Sequence, residues 1–213
     1  MLKEKYLTKA TIEVKCNEIL AQAHLYNQRL CQFKISSGSA LIVLDMQKYF
    51  LDEKSLAFVS SSEAIIERIK KLINKFKHRN LPVIFTRHWN NEVNAGQMKF
   101  HWQRLIDKKN LLFGISESFR TDNEIIIDKT QYDAFYKTPL KKILKEKNCH
   151  TLLICGVMTN LCCDSTVRSA FIKGFTPIFP VDTTAAYNME LHKASYITLS
   201  QGFITPCISE EIL

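Results

Sequence analysis

The chain has 213 residues, 46% of them apolar and 23% charged, with a formal net charge of +8. That length suits one domain with a well-buried core, and glycine and proline are too scarce for a linker or low-complexity protein. The lysines are spread over helix-like segments (Lys70, Lys71, Lys75 and Lys77, then Lys141, Lys142, Lys145 and Lys147), which argues against a nucleic-acid or membrane surface and leaves an anionic small molecule as a partner the charge would suit.

Residues 1–36 place Ile12, Cys16, Ile19, Leu20 and Ala23 at helical spacing, which predicts an N-terminal helical arm ending at Ser36–Ser39. The first twenty residues hold no uninterrupted apolar core, so no secretory signal is expected, and no run is long enough for a membrane span. Residues 40–44 (ALIVL) read as a strand buried on both faces, followed directly by Asp45. After Ser60–Ser62, which can cap a helix, apolar residues recur at 65, 66, 69, 72, 73 and 76, one stripe of an amphipathic helix. Residues 81–86 form a second predicted strand, and 90–122 a mixture of loop and short helix. A third strand over 124–128 ends at Lys129, and a helix follows near 138–147. Residues 151–155 are a fourth strand, 160–173 a helix, 175–180 a fifth strand, 189–200 a helix and 202–207 a sixth strand.

Strands alternating with helices predict an α/β fold: a Rossmann-like, three-layer α/β/α arrangement with a mostly parallel sheet of roughly six strands. The domain proper is expected over 37–213. Ligands of such sheets bind beyond the carboxyl ends of the strands. Asp45, Lys129 and the segment from Gly156 all fall there, which makes them site candidates.

Each candidate is weak alone. Asp45 is a general base or a loop carboxylate. Lys129 is a surface charge, or an ammonium that favours a nearby thiolate. Cys162 is one of seven cysteines, a residue common in cores. Its predicted place in the first turn of a helix after a turn-like Gly156–Asn160 segment would lower its pKa and offer backbone N–H groups to an oxyanion. Cys163 points about 100° away around the helix and reads as packing. The cysteines are odd in number and show no C-x-x-C spacing, so a reduced, cytoplasmic protein is expected. Phe50, Trp89, Tyr132 and Phe135 are candidate pocket aromatics, and Arg87 with His88 candidate carboxylate binders.

The three motifs LDMQKYF, KTQYDAFYKTPL and GVMTNLCCDSTVRSAF, in this order, resemble the isochorismatase-like (cysteine hydrolase) superfamily over residues 39 to 208. The resemblance implies Cys162 as nucleophile, Asp45 as the base that takes its proton, and Lys129 as electrostatic partner. It also implies a cis peptide between Val157 and Met158, an oxyanion hole from the N–H groups of Met158 and Cys162, and a homo-oligomer, dimer or tetramer. True isochorismatases resemble the chain but carry glycine in place of Cys162 and cleave a vinyl ether. The cysteine therefore favours cleavage of a C–N bond in a small carboxamide, carbamoyl or ureido compound through a thioester. Ether hydrolysis and a non-catalytic binding subunit stand as alternatives. Nicotinamidases of the family bind a metal through an Asp-x-His pair and a later histidine. Here Asp52 is followed by Glu53 and Lys54, so neither a metal nor another cofactor is expected.

Overall fold

The computed structural model describes residues 2–102 and 104–212. In chain order the elements are α1 (Ile12–His24), β1 (Ser39–Leu44), α2 (Lys48–Leu51), α3 (Ser62–His78) and β2 (Val83–His88). Next come α4 (Met98–His101), β3 (Ile125–Lys129), α5 (Leu140–Glu146) and β4 (Thr151–Val157). A π-helical turn (Thr159–Cys163) then leads into α6 (Asp164–Ile172), followed by β5 (Thr176–Ile178), β6 (Thr184–Ala185) and α7 (Met189–Gly202).

The sheet order is β3-β2-β1-β4-β5, with β6 pairing β4 beyond the end of β5, and every ladder is parallel. The all-buried runs of β1 and β4 follow from their central place under helices on both faces. Chain order reverses direction at β1, whose neighbours are β2 and β4, so a crevice opens between the carboxyl ends of β1 and β4.

The stripe read on α3 is its buried face, with Ile65, Ile69, Leu72, Ile73 and Phe76 in the core. Its expected serine cap is put to another use. Ser61 precedes the helix without capping it, and its Oγ accepts the Leu7 N–H at 3.0 Å. The arm helix α1 buries Ile12, Cys16, Ile19 and Ala23 and packs against α7 of its own chain.

The sixth strand lies at Thr184–Ala185 rather than at 202–207. Two causes prevent a ladder there. Helix α7 runs on to Gly202, and Pro206 has no N–H to offer. The backbone of Cys207 is paired otherwise: its N–H donates to Tyr196 Oη at 2.6 Å, and its carbonyl receives that hydroxyl at 2.8 Å and the Val181 N–H at 3.1 Å. Among the described residues no helix is long and apolar enough to cross a membrane.

Candidate active site

Asp45 leaves β1 in the left-handed region at φ 51°, which turns its side chain back under the strand ends. It is fully buried. Its N–H donates to Thr86 Oγ1 at 3.2 Å, and the Thr86 hydroxyl donates to Asp45 Oδ1 at 2.6 Å. Asp45 Oδ2 lies 2.7 Å from Lys129 Nζ, with both side chains at 0% exposure. Lys129, the last residue of β3, reaches across β2 to make this contact.

The Lys129 ammonium has three N–H donors and three neighbours to receive them. Beside Asp45 it donates to Gln131 O at 3.1 Å and to Cys162 Sγ at 3.1 Å. Burial by itself disfavours the Lys129 ammonium, but the Asp45 carboxylate and the Cys162 sulfur outweigh it and hold its pKa above the usual lysine value. For the thiol the balance is reversed. Burial first, then the Asp45 carboxylate, push the Cys162 thiol up, while Lys129 pulls the other way. This corrects the expectation of a thiol lowered by a helix dipole. Cys162 sits in the π-helical turn before α6, buried against Lys129 and at the edge of the cavity. The thiol lies within hydrogen-bond reach of both Asp45 and Lys129.

The Val157–Met158 peptide is cis. Met158 O receives the N–H groups of Leu161 at 3.1 Å and Cys163 at 3.2 Å, which folds the π turn around Cys162. Met158 and Cys162 both face a cavity of about 310 Å³ that opens over the β1–β4 crevice.

Of the six residues expected to bind substrate, Phe50, His88 and Tyr132 line this cavity. His88 is 7% exposed, and its Nε2 shares a 2.6 Å hydrogen bond with Asn90 Oδ1. The Asn90 amide is oriented by its donation to Thr130 O at 2.7 Å, so the oxygen faces the ring and Nε2 carries the proton. Burial, helped by Lys129, pulls the His88 pKa down to about 4, so the ring is neutral near pH 7. Its Nδ1 has no partner among the described residues.

The other three are turned to structural use away from the cavity. Arg87 Nε pairs with Asp128 Oδ1 at 2.8 Å, and its guanidinium lies 4.5 Å from the Phe113 ring. Trp89 packs under Lys108, and Phe135 stacks on Phe175 at 5.7 Å. Their places are filled by Tyr49, Trp102 and Tyr187, with Lys3 and Arg104 as the cations of the lining. The signal for Tyr49 was its neighbour Phe50. Lys3 and Tyr187 come together only through tertiary folding, which no local pattern reveals.

The metal-binding arrangement of family nicotinamidases does not fit these residues. Asp52 Oδ1 accepts the Lys54 N–H at 2.8 Å, a turn contact at the position where the Asp-x-His pair would need its histidine. Among the described residues no three His, Cys, Asp or Glu side chains are grouped as metal ligands.

A family model described as the isochorismatase domain matches residues 39–211. The chain is 34% identical over 181 residues to nicotinamidase 3 of Arabidopsis thaliana, which covers 79% of this chain and 83% of that protein. It is 28% identical over 174 residues to an ureidoacrylate amidohydrolase of Yersinia enterocolitica, covering 70% of this chain and 76% of the other. In three dimensions it is similar to a cysteine hydrolase from Pseudomonas syringae pv. phaseolicola, with a TM-score of 0.82 at 24% identity over 87% of this chain and 95% of that one.

Proposed function

The chain belongs to the isochorismatase family of hydrolases, and on that premise we propose that it is a cysteine-dependent amidohydrolase that opens a C–N bond in a small carboxamide, carbamoyl or ureido compound. The observation that carries this reading is the contact of one buried ammonium with both partners: Lys129 Nζ is 2.7 Å from Asp45 Oδ2 and 3.1 Å from Cys162 Sγ, and Cys162 lines the cavity.

The reaction follows from the resting charges. Asp45 is the base and Cys162 the neutral acid, so attack begins as the thiol proton passes to the Asp45 carboxylate. The Cys162 sulfur bonds to the substrate carbonyl carbon, and the carbonyl pair moves to oxygen. That oxyanion is received by the N–H groups of Met158 and Cys162. Lys129 stabilises the negative charge while it is on sulfur. As the tetrahedral intermediate collapses, the C–N bond breaks and Asp45 returns its proton to the leaving nitrogen. A water deprotonated by Asp45 then attacks the thioester, releases the acid and restores the thiol. Burial of all three side chains keeps competing water from the ion pair and strengthens each charge interaction.

The similarity to a nicotinamidase and to an ureidoacrylate amidohydrolase supports amide chemistry and places a heteroaromatic carboxamide and ureido acids among the compounds to try. The test is an ammonia-release screen over small amides and ureido compounds, with a vinyl-ether substrate assayed separately. The expected result is ammonia from at least one amide, lost in Cys162→Ala. Turnover that survives Cys162→Ala would turn the reading towards ether-type, non-covalent hydrolysis. Ligand binding with no turnover anywhere would make the chain a binding subunit.

A further inference from the structure

The matched family domain begins at residue 39, yet part of the cavity wall comes from before it. Residues 2–7 run back over the corner where β6 leads into α7. Glu4 N–H donates to Tyr187 O at 2.8 Å, Met189 N–H to Glu4 Oε1 at 2.7 Å, and Asn188 Nδ2 to Leu2 O at 3.2 Å. Tyr6 Oη receives the Ala186 N–H at 2.9 Å and is 2.6 Å from His192 Nδ1. Leu7 is fully buried and is tied to Ser61. Paired backbone groups and a buried leucine offset the entropy lost on ordering, which a fraying terminus would not repay.

This pinning delivers Lys3 to the cavity. Its Nζ donates to Leu56 O at 2.5 Å and lies 4.4 Å from the centroid of the Tyr187 ring. Leu56 and Tyr187 also line the cavity. Neither partner of the ammonium carries a negative charge. Among the described residues no carboxylate lies within ion-pair distance of Lys3, and no Asp or Glu lines the cavity. Arg104 and His101 add to the same basic rim. Partial burial draws the Lys3 pKa below the usual lysine value.

We infer that Lys3 is a specificity residue of this pocket, holding a carboxylate at the end of the substrate remote from the bond that breaks. The substrate class is then a small amide or ureido compound that also carries an acid group. The inference rests on Cys162 as the nucleophile, so its test must separate the two.

Iodoacetate and iodoacetamide are nearly the same size and differ in charge, and both alkylate thiols. The measurement is the rate of each at Cys162, resolved by peptide mass spectrometry. Cys31 serves as the internal reference. It is a free, partly exposed cysteine outside the cavity, open to both reagents. The ratio of iodoacetate to iodoacetamide rates should be higher at Cys162 than at Cys31. Lys3→Gln should lower the Cys162 ratio about three-fold, the size of a partly exposed ion pair, and Lys3→Arg should restore it. A ratio that Lys3→Gln leaves alone, or one no higher than at Cys31, overturns the role of Lys3 and leaves Cys162 as nucleophile. Asp45 takes the thiol proton as either reagent is attacked, as it does with substrate, so labelling of Cys162 by neither reagent overturns both.

Discussion

At 0% exposure, Asp45 Oδ2 and Lys129 Nζ lie 2.7 Å apart as a buried ion pair. Such a pair contributes little net stability, because desolvation consumes most of the Coulombic gain, but it fixes where the proton sits. In the proposed mechanism the proton leaves Cys162 sulfur for Asp45 only as substrate is attacked. The sequence named Asp45 and Lys129 because each directly follows a predicted strand, and Cys162 because it opens the helix after another. It misjudged the thiol because the chain shows no local sign of complete burial, and burial outweighs both the helix end and the lysine. Arg87 was misassigned for a similar reason: its partner Asp128 lies directly across the β2–β3 register, and that pairing is visible only in the folded sheet. Two buried histidines give a pH prediction. Burial pulls His88 and His192 each down to about 4 in the folded chain, whereas an unfolded imidazole titrates near 6.5. Below that value the unfolded chain binds protons that the folded chain refuses. Stability present above about pH 6.5 is therefore lost as pH falls towards 4, at up to about 1.4 kcal/mol per pH unit for each ring. Urea midpoints at about pH 7 and about pH 5.5 should show this fall, with a smaller fall in His192→Gln. A midpoint that does not move would contradict the buried neutral rings.

Among the elements, β4 is the most constrained by what it passes. Gly156 has φ +117°, and a Cβ built there would meet Leu44 O at 2.0 Å. Only glycine lets β4 run this close to the residue that precedes Asp45. Gly156→Ala is expected to cost about 3 kcal/mol or more, through strain together with backbone displacement, and to lower the thermal midpoint accordingly. An alanine variant as stable as the parent would mean that the strand ends at the crevice are looser than described. Elements with strong periodicity were legible: the all-apolar β1, the stripe of α3, and the alternation that predicts a parallel sheet. The tail after α7 was misread, since residues 202–207 have strand-like composition while the Cys207 backbone pairs with the Tyr196 hydroxyl and the Val181 N–H. The two residues of β6 carry too little pattern to be seen, and a π-helical turn has no sequence signature distinct from an α-helix start.

Over the whole molecule, a family domain supplies the chemistry at the β1–β4 crevice, and a segment ahead of it closes one side of the cavity. The excess of positive charge, which along the sequence suited an anionic small molecule, takes a place here, where Lys3 and Arg104 line a cavity with no carboxylate among the described residues. The fold and the family were readable because both rest on local patterns in a fixed order; the pocket wall was not, because it joins residues at opposite ends of the chain. The central claim is that substrate becomes covalently attached to Cys162. It is tested most directly by acid-quenching a reaction with an amide that releases ammonia and weighing the Cys162 peptide. The account predicts a peptide heavier by the acyl group and returned to its original mass by hydroxylamine. Steady ammonia release with that peptide unmodified, and undiminished in Cys162→Ala, would contradict it.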